Sequence, residues 1–193
     1  MTVHYSEHRK IRGRRPVPMR GDGTPDHNDR VEIGPTQLAY DEWAAAGLEL
    51  PHLPTMRQQR LERLVAGIQA RGYAGALFFD PLNIRFASDT SNMQLWNTHN
   101  PFRVCFVGAY GYMVLWDFKN DDLLTHFNTL VRETRSGASM FYFVSGDGAC
   151  HDAKRFAAEV DALVRERCGD NPRLAVDKIP IHGLRALDGV VFE

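Results

Sequence analysis

No sign of charge prevails along these 193 residues: 23 Lys and Arg stand against 24 Asp and Glu, a formal net charge of -1. The chain therefore lacks the basic field that draws nucleic acid or an anionic membrane surface. Cysteine is scarce. Cys105, Cys150 and Cys168 are odd in number, far apart and without a C-x-x-C pair, which excludes the disulfide framework of a small secreted domain. Long apolar runs are missing too. Six basic residues (Arg9, Lys10, Arg12, Arg14, Arg15 and Arg20) open the chain with no apolar stretch behind them, so they do not lead into a signal-peptide core. No segment reaches transmembrane length. The expectation is a cytoplasmic protein with no nucleic-acid and no membrane partner. No internal repeat is visible.

Motifs of catalysis are as thin. His4-Tyr5-Ser6-Glu7-His8 formally matches H-x-x-E-H, but that motif needs a helix backed by a core, and here it lies in a polar terminal stretch. His27, His52, His99, His126, His151 and His182 are too widely spaced for a helical ligand pair, and no suitably placed thiolates complete a closed zinc site. Gly21-Asp22-Gly23 and Gly146-Asp147-Gly148 lack a third glycine and a following Lys-Ser or Lys-Thr. An acid between the glycines repels phosphate, so both read as turns. There is no G-x-S-x-G elbow, and Cys105 sits within an apolar run where a core thiol is expected. The chain offers no complete catalytic site, and no metal ligand set or cofactor of its own is expected.

What is present is enough apolar material, 44% of the residues, for a real core without staples. Residues 1–53 read as an arm. Pro16, Pro18, Gly21, Gly23 and Pro25 break any periodicity there, and such a stretch cannot offset its ordering entropy alone. Tyr40 to Ala46 predicts a short helix stopped by Gly47, whose aromatics call for a surface to dock on. Residues 54–193 read as an α/β domain. Thr55 and Gln58 suggest a capping box for a helix with Leu61, Leu64, Val65 and Ile68 on one face. Ala74 to Phe79 is expected as a buried strand ending in an Asp80-Pro81 turn, and Asn83 to Ala87 as a second strand. Arg103 to Val107 and Tyr112 to Trp116 flank Gly108 to Gly111 as a hairpin. A short helix is expected over Asp121 to Phe127 and a strand over Met140 to Val144. His151 to Cys168 follows as a helix with Phe156, Val160, Leu163 and Val164 inward, then a strand at Leu174 to Asp177 and a helix at Ile181 to Leu187. This order predicts a mixed sheet flanked by helices.

One stretch leaves two readings open. After Ala87 the chain turns polar and loop-like, yet holds Met93, Trp96, His99 and Phe102. A loop does not ordinarily display a tryptophan unless it packs on something: either a ligand or second subunit that this surface is presented to, or the local core, which the aromatics of a folded-back loop would complete. Asp80-Pro81-Leu82-Asn83-Ile84-Arg85-Phe86, continued by Asn92 to Asn97 and by His99 to Arg103, resembles the amino-terminal domain of the creatinase/prolidase (pita-bread) metalloenzymes. So does the hairpin continuation Tyr112 to Asp117. Arg30 to Ala39, Leu174 to Lys178 and His182 to Leu187 are similar, within that group, to dimethylsulfoniopropionate (DMSP) lyases of the DddP type.

The resemblance implies a creatinase/prolidase N-terminal-type α/β domain, preceded by an irregular arm. It implies a homodimer in which this domain reaches over the neighbour's active site. A carboxy-terminal catalytic domain, absent from this chain, would hold a divalent metal pair (iron or another metal). In the lyase branch the metals act on the substrate carboxylate, and a base removes the adjacent proton to release dimethyl sulfide and acrylate. No catalytic or metal role transfers to a residue here. A substrate-lid or dimer-contact role is implied for Trp96, His99 and Arg103, with Asn92 and Asn97 as polar neighbours. An indole can face a sulfonium cation and an arginine a carboxylate. The alternatives are the corresponding domain of an Xaa-Pro aminopeptidase or creatinase-like hydrolase, and a stand-alone binding domain without catalysis. The isolated chain is expected to show no lyase turnover and no tight metal binding, and to self-associate.

Overall fold

The computed structural model describes residues 37–49, 51–118, 125, 127–169, 171 and 173–188. The His4–His8 motif, the Gly21–Gly23 turn, most of Arg30 to Ala39 and most of the helix expected over Asp121 to Phe127 lie outside the described residues. Helix α1 (Gln37–Ala45) forms where a short helix was expected, and Gly47 turns the chain beyond it at φ +69°. None of its residues is buried.

Five strands build one sheet in the order β4-β3-β2-β1-β5. These are β1 (Gly75–Phe78), β2 (Val104–Gly108), β3 (Met113–Asp117), β4 (Val131–Ser136) and β5 (Leu174–Val176). β1, β2 and β3 are antiparallel neighbours, while β5 joins β1 and β4 joins β3 in parallel. Helices α2 (Leu53–Ala70) and α3 (Pro81–Ser88) cover one face; α6 (Ala149–Cys168) and α7 (Ile181–Leu187) cover the other. Covering both faces is what makes the central strands apolar without alternation. Along β2, Val104 and Phe106 enter the α6 side with Phe156, Val160 and Leu163, while Cys105 and Val107 enter the α2 side with Leu61, Val65 and Ile68. The expected mixed sheet with helices on its faces is the observed one. No described helix is long and apolar enough to cross a membrane.

Three local expectations need correction. Asn83 to Ala87 is not a strand but the body of α3. Asp80 caps that helix, its Oδ1 accepting from Leu82 N at 2.8 Å and Asn83 N at 3.4 Å, and Pro81 takes a first-turn position where its missing N–H is harmless. The α2 cap is His52 rather than Thr55, its Nδ1 accepting from Thr55 N at 3.4 Å, and Gln58 instead reaches Glu62. Met140 to Val144 is not a strand either: Tyr142–Ser145 forms one helical turn, α5, and the sheet position is filled by the unforeseen β4. Gly146 to Gly148 makes a turn of 3-10 helix, as a turn was expected there.

Candidate functional site

The polar stretch between α3 and β2 is not a plain loop. It contains helix α4 (Gln94–His99), which carries Trp96 to the rings of Phe102 and Phe118, beside the start of β2 and the end of β3. Trp96 is half-buried at the centre of an aromatic cluster, with ring centroids 6.4 Å from Phe102, 5.4 Å from Phe118, 5.8 Å from Phe141 and 6.3 Å from Phe143, all edge-on. Phe102 stacks on Phe118 at 4.2 Å and 16°. Edge-on and offset contacts of this kind satisfy the ring quadrupoles. The shelf opens to solvent through Phe143 and Tyr142 of α5 and through Leu95, which are largely exposed. Gly137 is required beneath it, because a Cβ there would fall within the Phe102 ring.

Behind the rings lies a buried polar network. The β2–β3 register pairs Val104 with Trp116, so the next step outward sets Arg103 opposite Asp117. Arg103 Nε donates to Asp117 Oδ2 at 2.8 Å, Nη1 to the Thr90 carbonyl at 3.0 Å and Nη2 to Thr90 Oγ1. Asn92 Nδ2 donates to Asp117 Oδ1 at 2.8 Å, and Asn97 Nδ2 donates to the main-chain oxygens of Asn92 at 2.6 Å and Met93 at 3.2 Å. An unpaired guanidinium so far from water would be very costly, and this arrangement satisfies it.

The five residues singled out from sequence are thus brought together, in two layers. Trp96 and the exposed His99 lie at the surface, whereas Arg103, Asn92 and Asn97 are buried at 1%, 6% and 2% exposure. The Arg103 guanidinium is turned inward onto Asp117 and Thr90, away from the surface where a substrate carboxylate would be met. Sequence reasoning missed Asp117, Thr90 and the partner rings Phe118, Phe141 and Phe143. The signal for Asp117 was available: in the hairpin as read, an acid at the end of one strand faces an arginine at the start of the other.

Chemically, the shelf can bind a cation or an apolar group against its rings. Among the described residues no group of three or more His, Cys, Asp or Glu gathers to hold a metal ion. Cys105 is a core thiol, held protonated by burial that pushes its pKa up to about 12.

No family model matches the chain. Among solved structures it is similar to an Xaa-Pro aminopeptidase from Streptococcus pyogenes, at 14% identity and a TM-score of 0.49, over 72% of this chain and 90% of that one. It is similar also to the N-terminal domain of the cytoplasmic peptidase PepQ from Mycobacterium tuberculosis, at 18% identity and a TM-score of 0.46, over 68% of this chain and 84% of that one. Two curated proteins match all 193 residues: the dimethylsulfoniopropionate lyase DddP of Roseovarius nubinhibens at 56% identity and that of Roseobacter denitrificans at 54%. In each case the chain spans 43% of the relative's length. From end to end, then, the chain is homologous to DMSP lyases of the DddP type, of which it spans less than half.

Proposed function

We propose that this chain is part of a metal-dependent DMSP lyase, and that its Trp96 shelf serves as a substrate lid or as a contact between two copies of the protein. The observation that supports this is the 56% identity to a DMSP lyase along every residue of the chain. In the reaction, a base takes the proton beside the substrate carboxylate. The C–H electron pair becomes the double bond of acrylate, and the C–S pair leaves with dimethyl sulfide. The base and a divalent metal pair (iron or another metal) are assigned to a further domain. This segment's share is to bind, orient and exclude water. The Trp96 indole faces the sulfonium, a contact worth about 0.5–2 kcal/mol, and His99 stands on the same rim. Arg103, Asn92 and Asn97 act from behind, holding that surface in place. A cytoplasmic homodimer is the proposed setting.

The test is to offer a full-length protein containing this segment DMSP and an Xaa-Pro peptide side by side. Release of dimethyl sulfide is expected, and Trp96→Ala should raise KM about 2- to 30-fold, the loss of one cation–π contact. Peptide cleavage without dimethyl sulfide would overturn the lyase reading in favour of an Xaa-Pro hydrolase. Neither activity would favour a binding domain without catalysis.

A further inference from the structure

We infer that Asp117 is the positioning residue of the Trp96 shelf: one buried carboxylate that sets three of its rings at once. The first path is direct. Asp117 Oδ1 accepts from the main-chain N of Phe118 at 2.8 Å, and Phe118 is the ring nearest Trp96. The second runs through Arg103, held by Asp117 Oδ2 at 2.8 Å. Arg103 follows Phe102 in the chain, and Phe102 stacks on Phe118 at 4.2 Å. The third crosses to α4. Asn92 Nδ2 donates to Asp117 Oδ1, the Asn92 carbonyl accepts from Asn97 Nδ2, and Asn97 follows Trp96 on the same helix.

Helix α4 depends on that third path. It has six residues, too few to persist alone in water. Its N-cap, Met93, makes no side-chain capping bond and holds a left-handed φ of +47°, strained for a residue with a side chain. The Asn97 amide, bonding the carbonyls of Asn92 and Met93, fastens this uncapped turn. The backbone geometry that presents Trp96 is therefore held by groups that trace back to Asp117. The inference deepens the proposed lid, but it concerns the placement of the indole, which can be read without any turnover.

The experiment labels the chain with 5-fluorotryptophan, giving 19F resonances for Trp43, Trp96 and Trp116, with Trp96 assigned through Trp96→Phe. Asn92→Ala removes the amide that joins Asp117 to the α4 path, and Asn97→Ala removes the amide that fastens the turn; Asp117→Asn removes the charge and weakens all three. The expected result is a Trp96 resonance that shifts or broadens in all three variants, most in Asp117→Asn, while those of Trp43 and Trp116 hold in the two asparagine variants. If Asp117→Asn fails to fold, the asparagine variants decide alone. An unmoved Trp96 resonance in them would overturn the inference. So would equal movement of all three resonances, which would mark the network as general scaffolding. In a full-length lyase the asparagine variants should raise KM for DMSP with kcat held within about twofold, as expected for a group acting on uniform binding. A protein that turns over no DMSP would sink the proposed function and leave the 19F result to judge this inference.

Discussion

The side chains of Arg103 and Asp117 are 1% and 0% exposed, so the pair has no water to fall back on. Breaking such a pair from one side leaves a buried charge without its partner. Arg103→Ala is therefore expected to lose about 3–5 kcal/mol of unfolding free energy. Replacing both partners together, Arg103→Met with Asp117→Leu, should lose clearly less than the single change. Urea titrations of both variants check this, and equal losses would mean that the ion pair is not what the single change breaks. Gly137 is a second sensitive residue. Gly137→Ala drives a methyl into Phe102 and should lose about 1–3 kcal/mol, the usual effect of overpacking, with altered Trp96 emission. Thiol labelling tests the core assignment. Cys150 is exposed and Cys105 buried, so at pH 8 the native chain should label at Cys150 while Cys105 reacts only on unfolding.

At the scale of elements, α3 shows how a few side chains outvote a pattern. Asn83 to Ala87 carries enough β-branched and aromatic character to read as a strand. Asp80 closes two of the orphan N–H groups, Pro81 presets the first turn, and the helix wins. Asp80→Ala is expected to lose about 0.5–2 kcal/mol for the missing cap, seen as a lower thermal midpoint. An unchanged midpoint would leave tertiary packing as the sole determinant of α3. Strand β4 was illegible for the opposite reason. Arg132, Glu133 and Thr134 are polar yet buried, and Arg135 Nε reaches Glu133 Oε1 at 2.7 Å while its guanidinium lies over Trp116. Period-2 reading looks for apolar faces, and a parallel strand whose Arg132, Glu133 and Arg135 side chains find partners inside the protein does not display one. The hairpin was legible from two apolar runs flanking a glycine-bounded turn, and both long helices from the spacing of their apolar residues. The site was legible as a segment, from an indole in polar surroundings. Its division into ring surface and buried network was not, since that depends on the strand register bringing Arg103 opposite Asp117.

For the molecule as a whole, alkaline pH is the predicted weakness. Burial raises the thiol of Cys105 from 9.0 to about 12, and moves the Cys168 thiol and the Tyr112 phenol in the same direction. Between the ordinary and the raised values the unfolded chain gives up protons that the folded chain keeps. Stability is therefore undiminished below pH 9 and falls as pH rises toward 12. Urea midpoints at pH 8, 9.5 and 10.5 should decline in that order, and Cys105→Ser should flatten the decline. The open apolar surface of α4 and α5 carries a second expectation. With Leu95 and Tyr142 exposed at 80% and 79%, sedimentation should show concentration-dependent self-association, relieved by Leu95→Ser with Tyr142→Ser.

The parallel pairing of β1 with β5 has a consequence for how the chain is made. Asp177, just past β5, accepts from the Phe79 N–H across 98 residues of sequence. During synthesis β1, β2 and β3 can zip together early from short-range turns, but β1 keeps one bare flank until the polypeptide has emerged past Val176. Long-range pairing of this kind is the slow part of folding. A nascent chain stalled before Leu174 should thus be the form that chaperones hold and proteases cut, and release of the next few residues should close that flank.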